Sequence, residues 1–254
     1  MKRLLPILLL TVNLLACLLG VAAENDGIAP EAEKAYQQGQ FSQAAKLYEQ
    51  FISEGNESAQ VYYNLGNAYY KAGSLSKAIL WYERAFRLDP TDKDIQHNLA
   101  FANRMLLDRY EPAPQSAFVK KWNNLSHSLS ERNWAILSIV FAFLIALSVG
   151  TYLFASGKAG RITGILGMVL GTILIVLSII FASKEKNRFK GVDEAIVMES
   201  VVHVTGKPDR SAKPEAIIHE GLKVTLIEQT KEFTFIGLPN GDNGWVLNQS
   251  IEKI

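Results

Sequence analysis

Four histidines, His97, His127, His203 and His219, are the side chains best suited to proton transfer near neutral pH. None stands in a His-Glu-x-x-His or comparable metal-ligating spacing. His203 and His219 could be brought together by strands, but no cysteine or acidic residue stands at usable spacing to complete a metal site. Glu31 and Glu33 fall on the surface of an expected helix, where paired carboxylates are ordinarily solvated. No glycine-rich phosphate loop and no Gly-x-Ser-x-Gly elbow occurs. The sequence therefore carries no catalytic constellation, and neither an enzyme activity nor a cofactor is expected. What remains chemically suggestive is Tyr62–Pro90, YYNLGNAYYKAGSLSKAILWYERAFRLDP, with five tyrosines, a tryptophan and two glycines.

The spacing in that stretch accounts for most of those residues. Gly39, Phe41, Ala44 and Tyr48 recur as Gly73, Leu75, Ala78 and Tyr82, each 34 residues later. A 34-residue period with small residues at fixed places is the signature of helix–turn–helix repeats. The segment resembles the tetratricopeptide repeat consensus at Tyr62, Leu65, Gly66, Tyr69, Ala78, Tyr82, Ala85 and Pro90. Gly66 and Ala78 let two helices approach, Tyr69 and Tyr82 fill the layer between repeats, and Leu65 anchors the first helix. Gly73 suits a left-handed helix end, and Pro90 stops the following helix. A degenerate first repeat opens with a short helix near Pro30–Gln38, and Thr91-Asp92 can cap a last helix running from about Lys93 to Asp108. Two repeats and a terminal helix are close to the minimum for a stable stack.

In such a stack the leading helices line a concave groove. By register the groove residues are Tyr63, Asn67 and Tyr70, then His97, Phe101 and Arg104. Asn and Tyr side chains there suit hydrogen bonding to the backbone of an extended peptide. Recognition of a free terminal carboxylate is not expected, because Asp94 and Asn98 stand where the carboxylate clamp of chaperone-binding repeats needs basic residues; Asn64 alone fits it.

Hydrophobic residues make up 48% of the 254-residue chain and are concentrated in three blocks. Leu4–Ala23 follows Lys2-Arg3 and ends in small residues, which reads as a secretory signal over residues 1–23. A lipoprotein site at Cys17 is the competing reading, disfavoured by Leu18-Leu19 behind the cysteine. Cys17 is the only cysteine, so the processed chain would contain no disulfide. Removing Lys2 and Arg3 takes the net charge from +1 to −1, and without a basic stripe no nucleic-acid partner is expected. Trp134–Phe154 and Ile162–Phe181 lack charged residues and are long enough to cross a bilayer as helices. The short connector 155–161 makes them a hairpin, with Gly164, Gly167 and Gly171 along one side of the second helix. The signal places the flanking modules outside the cytoplasm. The positive-inside count over Lys120, Lys121, Arg132, Lys184, Lys186, Arg188 and Lys190 favours the opposite arrangement.

Residues 195–254 change to short β-rich runs separated by Gly, Pro and Asn-Gly-Asp signals, suggesting a small barrel. Expected strands cover Ile196–Val204, Ile217-Ile218, Leu222–Ile227, Phe233–Leu238 and Trp245–Leu247. The segment resembles a bacterial SH3-like domain, in Val202-His203-Val204 with Gly206-Lys207-Pro208, in Glu220–Val224, and above all in the Gly241-x-x-Gly244-Trp245-Val246 ending. Trp245 is expected to close the barrel core. Phe233 and Phe235 lie where that family often has a second tryptophan.

The expected fold class is thus multidomain. Tetratricopeptide helical repeats with a terminal helix occupy 24–110, followed by a linker (111–133), two transmembrane helices (134–154 and 162–181), a second linker (182–194) and an all-β SH3-like barrel (195–254). This order, with Tyr110-Glu111-Pro112-Ala113-Pro114, Phe118 and Lys121-Trp122-Asn123 before the first span, resembles the BatE family of membrane proteins of Bacteroidetes and related bacteria. The resemblance implies an inner-membrane scaffold with periplasmic soluble modules. Its implied partners are von Willebrand A-domain Bat proteins of the aerotolerance or stress response. The alternative is an envelope sensor whose SH3-like domain binds the cell wall or a peptide.

Overall fold

A computed structural model describes residues 30–109 and 116–254. The expected signal segment and the Tyr110–Pro114 motif lie outside the described residues. The repeat region consists of α1 (Pro30–Gln37), α2 (Phe41–Ser53), α3 (Ala59–Lys71), α4 (Leu75–Leu88) and α5 (Lys93–Asn103). The turns between helices share one device. Gly39 and Gly73, at +76° and +82°, adopt the left-handed conformation that the period anticipates. Behind Gly73, Ser74 N–H donates to Tyr69 O at 2.9 Å and Gly73 N–H to Tyr70 O at 3.1 Å. The same pair of bonds recurs at Gly39, from Gln40 to Ala35 and from Gly39 to Tyr36. These are Schellman ends that satisfy carbonyls the helix would leave open. Ser58 caps α3 and Asp92 caps α5 through side-chain oxygens.

The consensus residues do the packing assigned to them. Tyr62, Leu65, Gly66, Tyr69, Ala78, Tyr82 and Ala85 are all buried, and Pro90 follows the end of α4. A Cβ at Gly66 would lie 2.6 Å from Cδ1 of Tyr82, so the ring occupies the space a side chain would need. The last helix is shorter than its sequence pattern suggests, ending at Asn103 with Arg104 as its C-cap.

Beyond the repeats, α6 (Ala117–Ser126) stands in what the sequence presents as linker. Then α7 (Glu131–Phe154) and α8 (Lys158–Lys186) form an antiparallel pair, each long and apolar enough to cross a membrane. The 24-residue α7 begins three residues ahead of its uncharged block, and the 29-residue α8 runs past its block at both ends, taking in Lys158–Arg161 of the expected connector. A Cβ at Gly164 would lie 2.8 Å from both Cβ and N of Tyr152, and one at Gly171 would lie 2.5 Å from Cγ1 of Ile145. The glycines therefore set the close approach of the two helices.

The C-terminal module is all-β, with β1 (Glu194–Val197), β2 (Val201–Thr205), β3 (Pro214–His219), β4 (Lys223–Gln229), β5 (Phe233–Gly237), β6 (Asn243–Leu247) and β7 (Ile251–Lys253). The antiparallel sheet has the order β3-β2-β6-β5-β4-β1-β7 and is open, where the sequence suggested a closed barrel. The run Ile196–Val204 is two strands, not one: the chain bends at Glu199-Ser200, so β1 pairs β4 and β7 while β2 pairs β3 and β6. Ala195, Val197, Val202, Val204, Ile218, Val224, Ile236 and Val246 form its core. Trp245 does not close that core. It lies half-buried on the other face from Val246, its ring 5.0 Å from that of its cross-strand partner Phe235. Gly241 turns the β5–β6 hairpin at φ +93°. Gly244 is buried beneath Val204, where a Cβ would also lie 3.1 Å from Thr205 O.

The repeats and the sheet are docked on each other. Ile196, Met198 and Ile254 join the apolar core of the repeats, beside Ile79 and Leu106. A polar ring surrounds this contact. Glu83 Oε1 pairs with Lys223 Nζ at 3.1 Å, Arg87 with Glu194 at 3.1 Å and Arg84 with Glu252 at 3.1 Å. Ser76 Oγ donates to Glu220 at 2.9 Å. Arg84 also donates to Lys253 O at 2.7 Å and Arg87 to Ile254 O, so the β7 end of the sheet meets α4 instead of curling round to β3.

Candidate partner-binding groove

Of the groove residues expected from register, Tyr63, Asn67, Tyr70, His97 and Phe101 line one cleft of about 380 Å³. Helices α3 and α5 supply its walls, and Tyr36 of α1 and Tyr82 of α4 complete it. Arg104 is not part of it. As the C-cap of α5 it turns to a separate cleft beside Asp108, Leu222 and Lys223. The register treated Arg104 as an interior helix position, whereas it is the last, C-capping residue.

The floor of the cleft is a hydrogen-bonded tyrosine–asparagine cluster. Tyr82 Oη donates to Asn67 Oδ1 at 2.7 Å, and Asn98 Nδ2 donates to the same oxygen at 2.9 Å. Asn98 Nδ2 also donates to Tyr63 Oη at 2.9 Å. Burial, reinforced by Tyr63 and Tyr36 nearby, holds the Tyr82 hydroxyl well above the ordinary tyrosine pKa, so it remains a donor throughout the physiological range. Two acceptances by Asn67 Oδ1 fix which way the amide faces. Its Nδ2 is left without a protein partner but is not buried, and the Tyr63 hydroxyl proton is likewise uncommitted. The cleft thus offers preset donors to an acceptor-bearing ligand, such as the carbonyls of an extended chain. Tyr70 and Phe101 flank them with an edge-on aromatic pair, ring centres 5.9 Å apart, giving an apolar surface half-open to solvent.

Sequence reasoning missed Asn98 and Tyr36, and treated Tyr82 as packing alone. Asn98 was readable: it lies one residue beyond His97 and shares the face of α5 that presents Phe101. The histidines do not assemble. His219 Nδ1 lies 2.9 Å from Asp108 Oδ1, with its backbone N–H donating to Oδ2 at 2.6 Å, whereas His203 is exposed on β2. Among the described residues no group of three His, Cys, Asp or Glu side chains is arranged to hold a metal ion.

The helix pairs with 34-residue spacing, their glycine ends and their interlocking tyrosines agree with the family comparison. A sequence profile described as the tetratricopeptide repeat matches residues 29–93. The chain carries tetratricopeptide repeats. No curated protein matches it. Repeats of this kind generally mediate protein–protein interaction, and the cleft described above lies where their concave face is.

Proposed function

We propose that the protein is a membrane-anchored interaction scaffold whose repeat groove takes an extended segment of a protein partner. The observation that carries this reading is the cluster at the groove floor, where Asn67 and Tyr63 are held in place while keeping donors uncommitted. Preset donors lower the ordering cost of binding. Anchorage rests on the α7–α8 hairpin, since none of the most apolar stretch of α7 is buried within the protein. A hairpin returns the chain to the side it left, and the docking of repeats on sheet requires both modules on one side. Reading the N-terminal apolar segment as a secretory signal puts that side in the periplasm of a bacterial inner membrane. Within the resemblance to the BatE family, the partner is a von Willebrand A-domain Bat protein acting in aerotolerance or stress response.

A photo-crosslinking amino acid at Tyr63 or His97 in native membranes tests the groove. The expected result is one shared crosslinked partner from both positions and none from Glu54 on α2's C-cap. Absence of a shared partner from both groove positions overturns the reading. A reporter fused after Ile254 checks the side of the membrane, and a cytoplasmic signal contradicts the periplasmic assignment.

A second reading is favoured by the Phe235–Trp245 pair, which lies half-buried on the face of the sheet away from Val246, its rings tilted 40° to each other. Here the SH3-like module binds cell-wall fragments. Retention on purified peptidoglycan that disappears with Trp245→Ala, at unchanged folding, supports it.

A further inference from the structure

Helix α6 has an apolar face that the described protein covers only in part, at Trp122. Phe118 is 74% exposed and Leu125 52%, with Trp122 beside them at 36%. At about 100° per residue these three fall within an arc of about 60°. Lys120 and Asn124 lie on the opposite side, and Lys121 at the flank. Phe118 stacks on Trp122, their ring centres 6.2 Å apart, so the face is continuous.

The depth of this helix is fixed by its contacts. Trp122 meets Phe181 of α8 edge-on at 5.0 Å, and Phe181 in turn meets Trp134 at the start of α7 at 4.9 Å. Lys184 Nζ donates to Asn123 Oδ1 at 2.8 Å and to Ser126 Oγ at 3.0 Å. Trp134 Nε1 donates to Ser126 O at 3.1 Å. His127, the C-cap of α6, meets Glu185 at 2.6 Å. Phe181 is the last residue of the uncharged block, and Lys184-Glu185-Lys186 opens the charged end of α8. The anchoring contacts of α6 therefore straddle the level at which hydrocarbon gives way to headgroups. Its aromatic side points toward Phe181, the apolar side of that boundary. Its Asn123 and Ser126 side reaches Lys184, the polar side.

We propose that α6 lies in the plane of the bilayer surface as an amphipathic helix, with Phe118, Trp122 and Leu125 inserted at the acyl boundary and Lys120 and Lys121 at the phosphates. The occupant of the uncovered face is phospholipid, because the face is continuous with the apolar flank of the α7–α8 hairpin. A narrow apolar face with lysines above it is the composition of interfacial helices, and Trp at that level fits the aromatic belt. The inference rests on the hairpin spanning the membrane. It adds that the soluble unit is held against the lipid surface, not suspended from it by a free linker.

Spin labels in lipid nanodiscs test it, in full-length protein with Cys17 replaced by serine. Single cysteines are placed by Phe118→Cys, Leu125→Cys, Lys120→Cys, Leu147→Cys on α7 and Leu170→Cys on α8. Collision with dissolved oxygen should exceed collision with a water-soluble nickel chelate severalfold at 118 and 125, and the order should reverse at 120. The contrast at 118 and 125 should sharpen when phosphatidylglycerol is added to phosphatidylcholine. Equal nickel access at 118, 125 and 120, with 147 and 170 still shielded, overturns the interfacial helix alone. Nickel access at 147 and 170 overturns the membrane reading and this inference together. Unlabelled protein provides a second readout that is independent of any perturbation of so short a helix by the label. Trp122→Phe should remove part of the tryptophan emission quenched by lipid brominated near the headgroup end of its chains; unchanged quenching counts against insertion.

Discussion

Tyr82 joins the packing of the repeats to the floor of the groove in one side chain. Its ring fills the space left by Gly66, and its hydroxyl orients Asn67 at the groove floor. Tyr82→Phe keeps the ring and removes the hydrogen bond, so it should cost about 1 kcal/mol in chemical unfolding. It should also weaken partner crosslinking at Tyr63, because Asn67 loses one of the two donors that hold it. Gly66→Ala attacks the other half of the arrangement. The added methyl meets Tyr82 at under contact distance, and displacing that ring should cost about 1–3 kcal/mol, in the range of core overpacking. If Gly66→Ala unfolds at the same denaturant concentration as the parent, the glycine is not holding the helices together.

The elements of the repeat unit were legible because their punctuation has a period. Gly39 and Gly73 occupy equivalent left-handed turns, and any residue with a Cβ is disfavoured there. Gly73→Ala should destabilise the unit by about 1 kcal/mol or more, seen as a lower unfolding midpoint, although open space surrounds the position. The two apolar helices were equally legible from length and lack of charge. Helix α6 was not, because ten residues with two lysines are too few to show a repeated heptad or a span, and most of their apolar face meets no partner within the described residues. The split of Ile196–Val204 was hidden for a different reason. Glu199-Ser200 interrupt the run at the bend, but two polar residues inside a β-rich run do not by themselves reveal that its halves pair with two different sets of strands. Trp245 looked like a core residue by type, yet strand alternation gave the core position to Val246. Arg104 was misplaced because it is the C-cap of α5 and lines the cleft toward the sheet instead.

At the scale of the whole molecule, the repeats and the sheet behave as one body, and the Glu83–Lys223 pair lies at their seam. Glu83 is almost fully buried whereas Lys223 remains partly in solvent. Burial raises the carboxyl pKa above the ordinary 4.5, against the lowering pull of Lys223 and Arg87 and with a smaller push from Glu194. The docked form therefore holds its proton at a pH where the separated form has released it. Well below 4.5 both forms are protonated and the contribution to docking is fully present. As pH rises through 4.5 toward the higher docked value, the separated form gains the free energy of a solvated carboxylate, and that contribution is lost. Docking should accordingly weaken as pH rises through this window, and Glu83→Gln, neutral at every pH, should flatten the dependence. The thermal midpoint of the nanodisc-held protein from acid to neutral pH measures it, with protease access to residues 187–193 reporting separation of the two units. Lys223→Ala is the complementary change. It leaves Glu83 buried without its nearest cation, so it should lower the midpoint most at neutral pH and least well below 4.5, where the carboxyl is protonated in both variants. A midpoint whose dependence on pH is the same in the parent, Glu83→Gln and Lys223→Ala would show that this pair does not govern how the repeats meet the sheet.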